Sequence, residues 1–144
     1  MSRLVVDASV AAKWLTPEAG ADEALKLRGR HAFIAPELLL AECANVVWKK
    51  VARGELRIDD ASLIIPLLQR IDIELTAIKP LVSPATMLAL HLNHPAYDCF
   101  YLALAVAEAR PYVTADDRFV RKLRAANFSE AEVLPLAEAA ALTA

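Results

Sequence analysis

The chain has 144 residues, 57% of them hydrophobic, with 16 basic and 18 acidic side chains and a formal net charge of −2. That length suits one domain, and a mean hydropathy of +0.36 suits a packed core rather than a disordered chain. The sequence pI of about 5.9 argues against a general nucleic-acid coat protein, no apolar run approaches the roughly 20 residues that span a bilayer, and the first residues lack the basic-then-apolar pattern expected of a secretion signal.

Leu4, Val5 and Val6 form a short apolar run that stops at Asp7 and predicts a buried first strand. Residues 8 to 15 then read as a helix that includes Trp14, and 21 to 28 as a second, with Ala21, Ala24, Leu25 and Leu27 apolar. AFIAP, 32 to 36, reads as a strand closed by Pro36. A long helix is expected from Pro36 to Arg53, stopped by Gly54. At about 100° per residue, Leu40, Cys43, Ala44, Val47, Trp48 and Val51 share its apolar face, and Glu42, Asn45, Lys49 and Arg53 share another. IDDASLIIPLLQR opens the next helix, with Asp59 or Asp60 as cap and a kink at Pro66. IELTAI, 73 to 78, predicts a strand, and 83 to 93 a helix with Ser83 as cap and Pro84 at its first position. Residues 96 to 110 form a very apolar, Ala-rich helix, YVTA (112 to 115) a strand, and DDRFVRKLRAA a basic amphipathic helix. AEVLPL suggests a last strand and the Ala-rich tail a loose helix. The alternation predicts one α/β domain over residues 1–144, with a mostly parallel central sheet covered by helices on both faces. Cys43 and Cys99 make no disulfide framework; both are expected as buried free thiols, which fits a reducing cytoplasm.

Most acidic residues lie in plainly polar stretches, such as Asp22 with Glu23 and Asp59 with Asp60. Four others interrupt apolar surroundings, where an unpaired carboxylate costs several kcal/mol or shifts its pKa. Asp7 ends a strand and either caps the following helix or faces a ligand at the sheet edge. Glu42 lies inside the long helix, about two turns before Lys49 and Arg53 and so beyond a direct pair with either. Asp98 sits in the first turn of the most apolar helix, where the helix dipole alone would favour it. Asp116 repeats the arrangement of Asp7, with Asp117 as a rival for the cap. In a parallel sheet Asp7 and Asp116 share one edge; periodicity does not bring Asp98 there. If all four meet, they form an oxygen-rich cage without a compensating base, which suits Mg²⁺ or Mn²⁺. Setting these four aside leaves 14 of the 18 acids against 16 bases. Lys49 and Arg53, and Arg118, Arg121, Lys122 and Arg124 after Asp116, either line a path for a phosphate backbone or form a solvated basic face. His31, His91 and His94 show no metal-ligand spacing and read as surface or capping residues.

VVDASVAAKWLTPE, PELLLAECANVVWKK, AYDCFYLALA and YVTADDRF, in that order, resemble the motifs of the PIN-domain family, and within it the VapC-like toxins of bacterial and archaeal toxin–antitoxin pairs. Cys99 stands where Ala is common in that family. The resemblance covers nearly the whole chain and implies a Rossmann-like α/β fold with the acids gathered at one sheet edge. It implies metal-dependent hydrolysis of RNA phosphodiester bonds, with Asp7, Glu42, Asp98 and Asp116 as catalytic acids holding Mg²⁺ or Mn²⁺ directly or through water. Ser9, Asn45, Thr114 and Asp117 would support them by orienting carboxylates or waters. It further implies a cognate protein antitoxin, homodimers and a cytoplasmic setting away from membranes. A phosphatase with an aspartyl nucleophile, of the haloacid-dehalogenase kind, is the alternative enzyme. That family has a second Asp two residues after the first, where this chain has Ser9, and Lys122 meets its late Lys poorly. A non-catalytic binding module on the same fold is the third reading, and intact acids at all four positions argue against it.

Overall fold

A computed structural model describes residues 2–143. In chain order the elements are β1 (Ser2–Val6), α1 (Ala8–Leu15), α2 (Ala21–Leu27), β2 (His31–Pro36), α3 (Leu38–Ala52), α4 (Ile58–Gln69) and β3 (Glu74–Thr76). A 3-10 turn, Lys79–Leu81, then leads into α5 (Val82–Leu92), α6 (Ala96–Glu108), β4 (Tyr112–Thr114), α7 (Asp117–Ala125), β5 (Val133–Pro135) and α8 (Leu136–Leu142). The strands form one parallel sheet in the order β3-β2-β1-β4-β5. Strands that run parallel need crossover connections, and helices supply them.

Registry puts Val5 opposite both Ile34 and Tyr112, and Val6 opposite Val113, so β1 lies at the centre. Val5, Val6, Tyr112 and Val113 are fully buried, as a strand covered on both faces requires. The chain builds outward from β1 to β2 and β3, then returns across the sheet to β4 and β5 on the other side. Right-handed crossovers with that reversal put α1 to α4 on one face and α5 to α7 on the other. The packing agrees: α1 rests on α2 and α3, α3 on α4, and α5 on α6, which covers β1 and β2. The reversal falls between β1 and β4, and the crevice beyond the carboxyl ends of such neighbours is where open α/β sheets bind ligands.

The tail is better anchored than a loose helix: Leu136, Ala139 and Ala140 of α8 are buried, and α8 packs on α2. No helix among the described residues is long and apolar enough to cross a membrane. Three local expectations are corrected. Cys43 and Val47 face the core as expected, but Trp48 is 63% exposed and Ala44 is also exposed, because α3 is turned so that Leu39 joins them instead. Ser83 does not cap α5: the preceding 3-10 turn feeds the helix directly, which starts at Val82 and leaves Ser83 inside it. Neither Asp59 nor Asp60 caps α4; both lie in its first turn, favourable to the dipole, behind Arg57 at the cap position.

Candidate active site

Parallel topology delivers the four acids to one edge. Asp7 follows β1, and Asp116 follows β4 by one residue, on the two strands that flank the reversal. A crossover helix runs antiparallel to the strands it joins, so its N-terminus sits at the same carboxyl edge. This brings in Glu42, in the second turn of α3, and Asp98, in the first turn of α6.

Asp7 is 5% exposed. It caps α1 and is also held from both sides of its carboxylate. Oδ1 accepts the Ser9 backbone N–H at 3.0 Å and the Ser9 hydroxyl. Oδ2 accepts the hydroxyls of Tyr112 and Thr114, each at 2.6 Å. Alternation along β4 puts those two side chains on one face. The hydroxyls are themselves fixed: Ser9 Oγ accepts the Ala115 N–H at 2.9 Å, and Thr114 Oγ1 accepts the Asp116 N–H at 3.1 Å. Ser9 and Thr114 thus stand where the sequence put them, beside the first and fourth acids. Glu42 is half-buried and takes the Tyr101 hydroxyl on Oε1. Tyr101 and Tyr112 are fully buried and stacked, with ring centroids 6.0 Å apart, so one aromatic pair backs two acids. Asp98 Oδ2 accepts from His94 Nε2 at 2.7 Å. Asp116, not Asp117, caps α7: its Oδ1 accepts the Phe119 N–H at 3.1 Å, while Asp117 is exposed in the first turn.

The tyrosines and His94 are absent from the expected set. His94 precedes Asp98 by four residues, a spacing visible in the sequence; Tyr101 and Tyr112 lie in apolar runs, where nothing marks their hydroxyls until the fold supplies partners. His94 departs from the expected surface role, whereas His91 is exposed and bonds the Met87 carbonyl, and His31 bonds Ser2 and Thr143. Asn45 is exposed and makes no side-chain hydrogen bond among the described residues. Lys49, Arg53, Arg118 and Arg121 are exposed and join no ion pair there, and Lys122 is half-buried against the Asn93 carbonyl, 2.7 Å from its Nζ. Lys50, not Lys49, is paired on α3, reaching Glu18 at 2.8 Å.

Burial drives the Asp7 carboxyl above the ordinary range; the hydroxyls of Ser9, Thr114 and Tyr112 pull it back in part, and the Asp98 charge pushes it further up. Burial likewise raises Glu42, against the Tyr101 hydrogen bond and with the charges of Asp7 and Asp98. Three of the acids therefore act on one another. Among the described residues no Lys or Arg ion-pairs with any of the four. One buried and three half-buried carboxylates without a Lys or Arg partner are oxygen donors of the kind a hard divalent cation prefers. Among the described residues no group of three or more His, Cys, Asp or Glu side chains is placed to hold a metal ion. The thiols take no part: burial pushes Cys43 up to about 12 and Cys99 up to about 11.

Residues 4–125 match the sequence profile of the PIN domain family. Ribonuclease VapC3 of Pyrobaculum aerophilum is 30% identical over 126 residues, which span 85% of this chain and 96% of that protein. Among solved structures, PAE2754 from the same organism superposes with a TM-score of 0.68 at 21% identity, covering 97% of this chain and 95% of its own. VapBC2 from Rickettsia felis, bound to a DNA fragment from its promoter, gives a TM-score of 0.63 at 13% identity, covering 92% and 98%. VapC20 of Mycobacterium tuberculosis, a toxin that cleaves the sarcin–ricin loop, gives 0.60 at 15% identity, covering 90% and 98%. At those identities the structures establish the shared fold.

Proposed function

The chain belongs to the PIN-domain family, in its VapC-like group, and on that premise we propose that it is a metal-dependent endoribonuclease acting as the toxin of a toxin–antitoxin pair. One observation supports the reading: Asp7, Glu42 and Asp98 act electrostatically on one another at the carboxyl edge of the sheet, Asp116 follows β4 at that edge, and among the described residues none of the four ion-pairs with Lys or Arg. Such a pocket repels a bare phosphodiester, so it serves that substrate only when a cation is present. Asp7, Glu42, Asp98 and Asp116 are the residues that would hold Mg²⁺ or Mn²⁺, which supplies an activated water and relief of charge on the phosphoryl and leaving oxygens. The protein's own residues prepare the place. Ser9, Tyr112 and Thr114 fix both oxygens of Asp7, and Tyr101 fixes Glu42. Exposed Arg118 and Arg121 on α7, beside Asp116, attract the RNA backbone, and Lys49 on α3 with Arg53 at its C-terminal cap, two to three turns beyond Glu42, would extend that path away from the acids.

The partners on this reading are an RNA substrate, a cognate antitoxin and a second copy of the chain. A cavity of about 480 Å³, lined by apolar Trp14, Phe33, Leu67 and Ile71 and by charged residues of both signs such as Arg70 and Asp72, is consistent with an amphipathic helical partner.

Purified protein is expected to cut RNA with Mg²⁺ or Mn²⁺ and not with EDTA, and Asp7→Asn and Asp98→Asn to abolish cutting. Expression of the parent should slow growth and expression of Asp7→Asn should not. Cutting in EDTA, or undiminished activity in both variants, would contradict the proposal.

A further inference from the structure

We propose that His94 is a positioning residue that locks the third acid of the site to the fourth. Asp98 and Asp116 sit on different helices, α6 and α7, with β4 between them in the chain. His94 lies in the short link between α5 and α6 and touches both sides. Its Nε2 donates to Asp98 Oδ2 at 2.7 Å, and among the described residues this is the one hydrogen bond the Asp98 carboxylate accepts. Its ring stacks on Phe119 of α7, with centroids 4.3 Å apart and planes 28° from parallel. Phe119 in turn donates its backbone N–H to Asp116 Oδ1. One imidazole therefore orients Asp98 through a hydrogen bond and abuts the residue that orients Asp116.

The link that carries His94 is held in place. Asn93 ends α5 at φ 50°, in the left-handed region, and its carbonyl accepts Lys122 Nζ from α7 at 2.7 Å. The same ammonium lies 3.5 Å from His94 Nδ1, the ring nitrogen that faces away from Asp98. The His94 side chain is 15% exposed and Asp98 31%. An Asp in an open first turn has free rotamers; the imidazole selects one. Groups that hold a metal-binding carboxylate in this way change metal affinity or activity about 10- to 100-fold when removed.

The inference rests on the reading of Asp98 as a member of the nuclease site. Its test is calorimetric titration of Mn²⁺ alone into the parent, His94→Phe and His94→Gln, with RNA-cleavage kinetics on the same samples. Phe keeps a ring against Phe119 without the donor; Gln keeps a donor at the reach of Nε2. His94→Phe is expected to bind Mn²⁺ about 10-fold or more weakly and to lose kcat with KM for RNA little changed, while His94→Gln recovers most of both. Equal Mn²⁺ affinity and turnover in His94→Phe and the parent, or a His94→Gln no better than His94→Phe, would overturn the inference. A readout on the native histidine completes the test: in metal-free Asp98→Asn the His94 imidazole ¹⁵N resonances should shift, and unchanged resonances would also overturn it. A parent that takes up no Mn²⁺, with an Asp7→Asn variant that cuts RNA as well as the parent, would instead remove the reading of these acids as a metal-dependent nuclease site, and this inference with it.

Discussion

Glu18 and Glu42 place the same carboxylate in opposite settings. Burial works to raise Glu18, but hydrogen bonds and charge from Lys50 and Lys13, at 2.8 and 3.0 Å, outweigh it and hold the group below its ordinary range. Glu42 has no such base, and burial with the neighbouring acids holds it above. Linkage gives the two groups opposite signs. Glu18 stabilises the fold above its unfolded pKa, and that contribution is lost as pH falls through the folded value. Glu42 favours the fold below its unfolded pKa, near 4.3, and that contribution is lost as pH rises through the folded value. Metal-free urea melts from pH 3 to 8 should therefore diverge. Glu18→Gln equals the parent in strong acid, falls below it as pH rises toward about 4.3 and stays a constant amount below it at higher pH; Glu42→Gln, whose amide oxygen can still accept from Tyr101, equals the parent in acid and rises relative to it as pH climbs above about 4.3. Parallel profiles would contradict both assignments. The acids themselves were legible because carboxylates in apolar runs are conspicuous. Tyr101 and Tyr112 were not, because tyrosines in apolar runs look like ordinary core until their hydroxyls are traced to partners.

Helices were legible where a capping Asp and apolar spacing agreed, as in α1 and α7, or where the apolar run was long, as in α6. Where they failed, a neighbour decided. The 3-10 turn at Lys79–Leu81 overrode the Ser83 cap signal. In α3 the expected apolar face was broader than the face the helix packs with, so Cys43 and Val47 point inward while Trp48, on the same expected face, is left out. The doublet after β4 shows the same dependence: either Asp could cap α7 by sequence, and the short path from Thr114 puts Asp116 there. Removing that cap, as Asp116→Ala, should cost about 1 kcal/mol in denaturant titration, while Asp117→Ala, exposed and uncommitted, stays within about 0.5 kcal/mol. The reverse order would mean that the α7 cap is misassigned.

At the scale of the molecule, the convergence of the acids was legible through resemblance and only half legible through physics. Asp7 and Asp116 follow strands, so any parallel sheet sends them to one edge. Glu42 and Asp98 sit on helices, and their arrival depends on β2 and β4 both neighbouring β1, a strand order that local pattern does not encode. The same order explains why like charges collect: the crevice at the reversal is the one place where strand ends and helix starts from both halves of the sheet meet. The fold therefore carries an electrostatic penalty at that crevice which a divalent cation would relieve. Thermal melting of the parent and Glu42→Gln at pH 8, each in EDTA and in Mn²⁺, tests that claim most directly. At a free Mn²⁺ concentration 100 times its Kd the parent should gain about 2.7 kcal/mol, on the order of 8 °C for a chain of this length. Glu42→Gln should melt at or above the parent in EDTA and gain much less from Mn²⁺. A parent indifferent to Mn²⁺, or a Glu42→Gln that melts below the parent in EDTA and gains as much from the metal, would contradict a shared cation site at this edge.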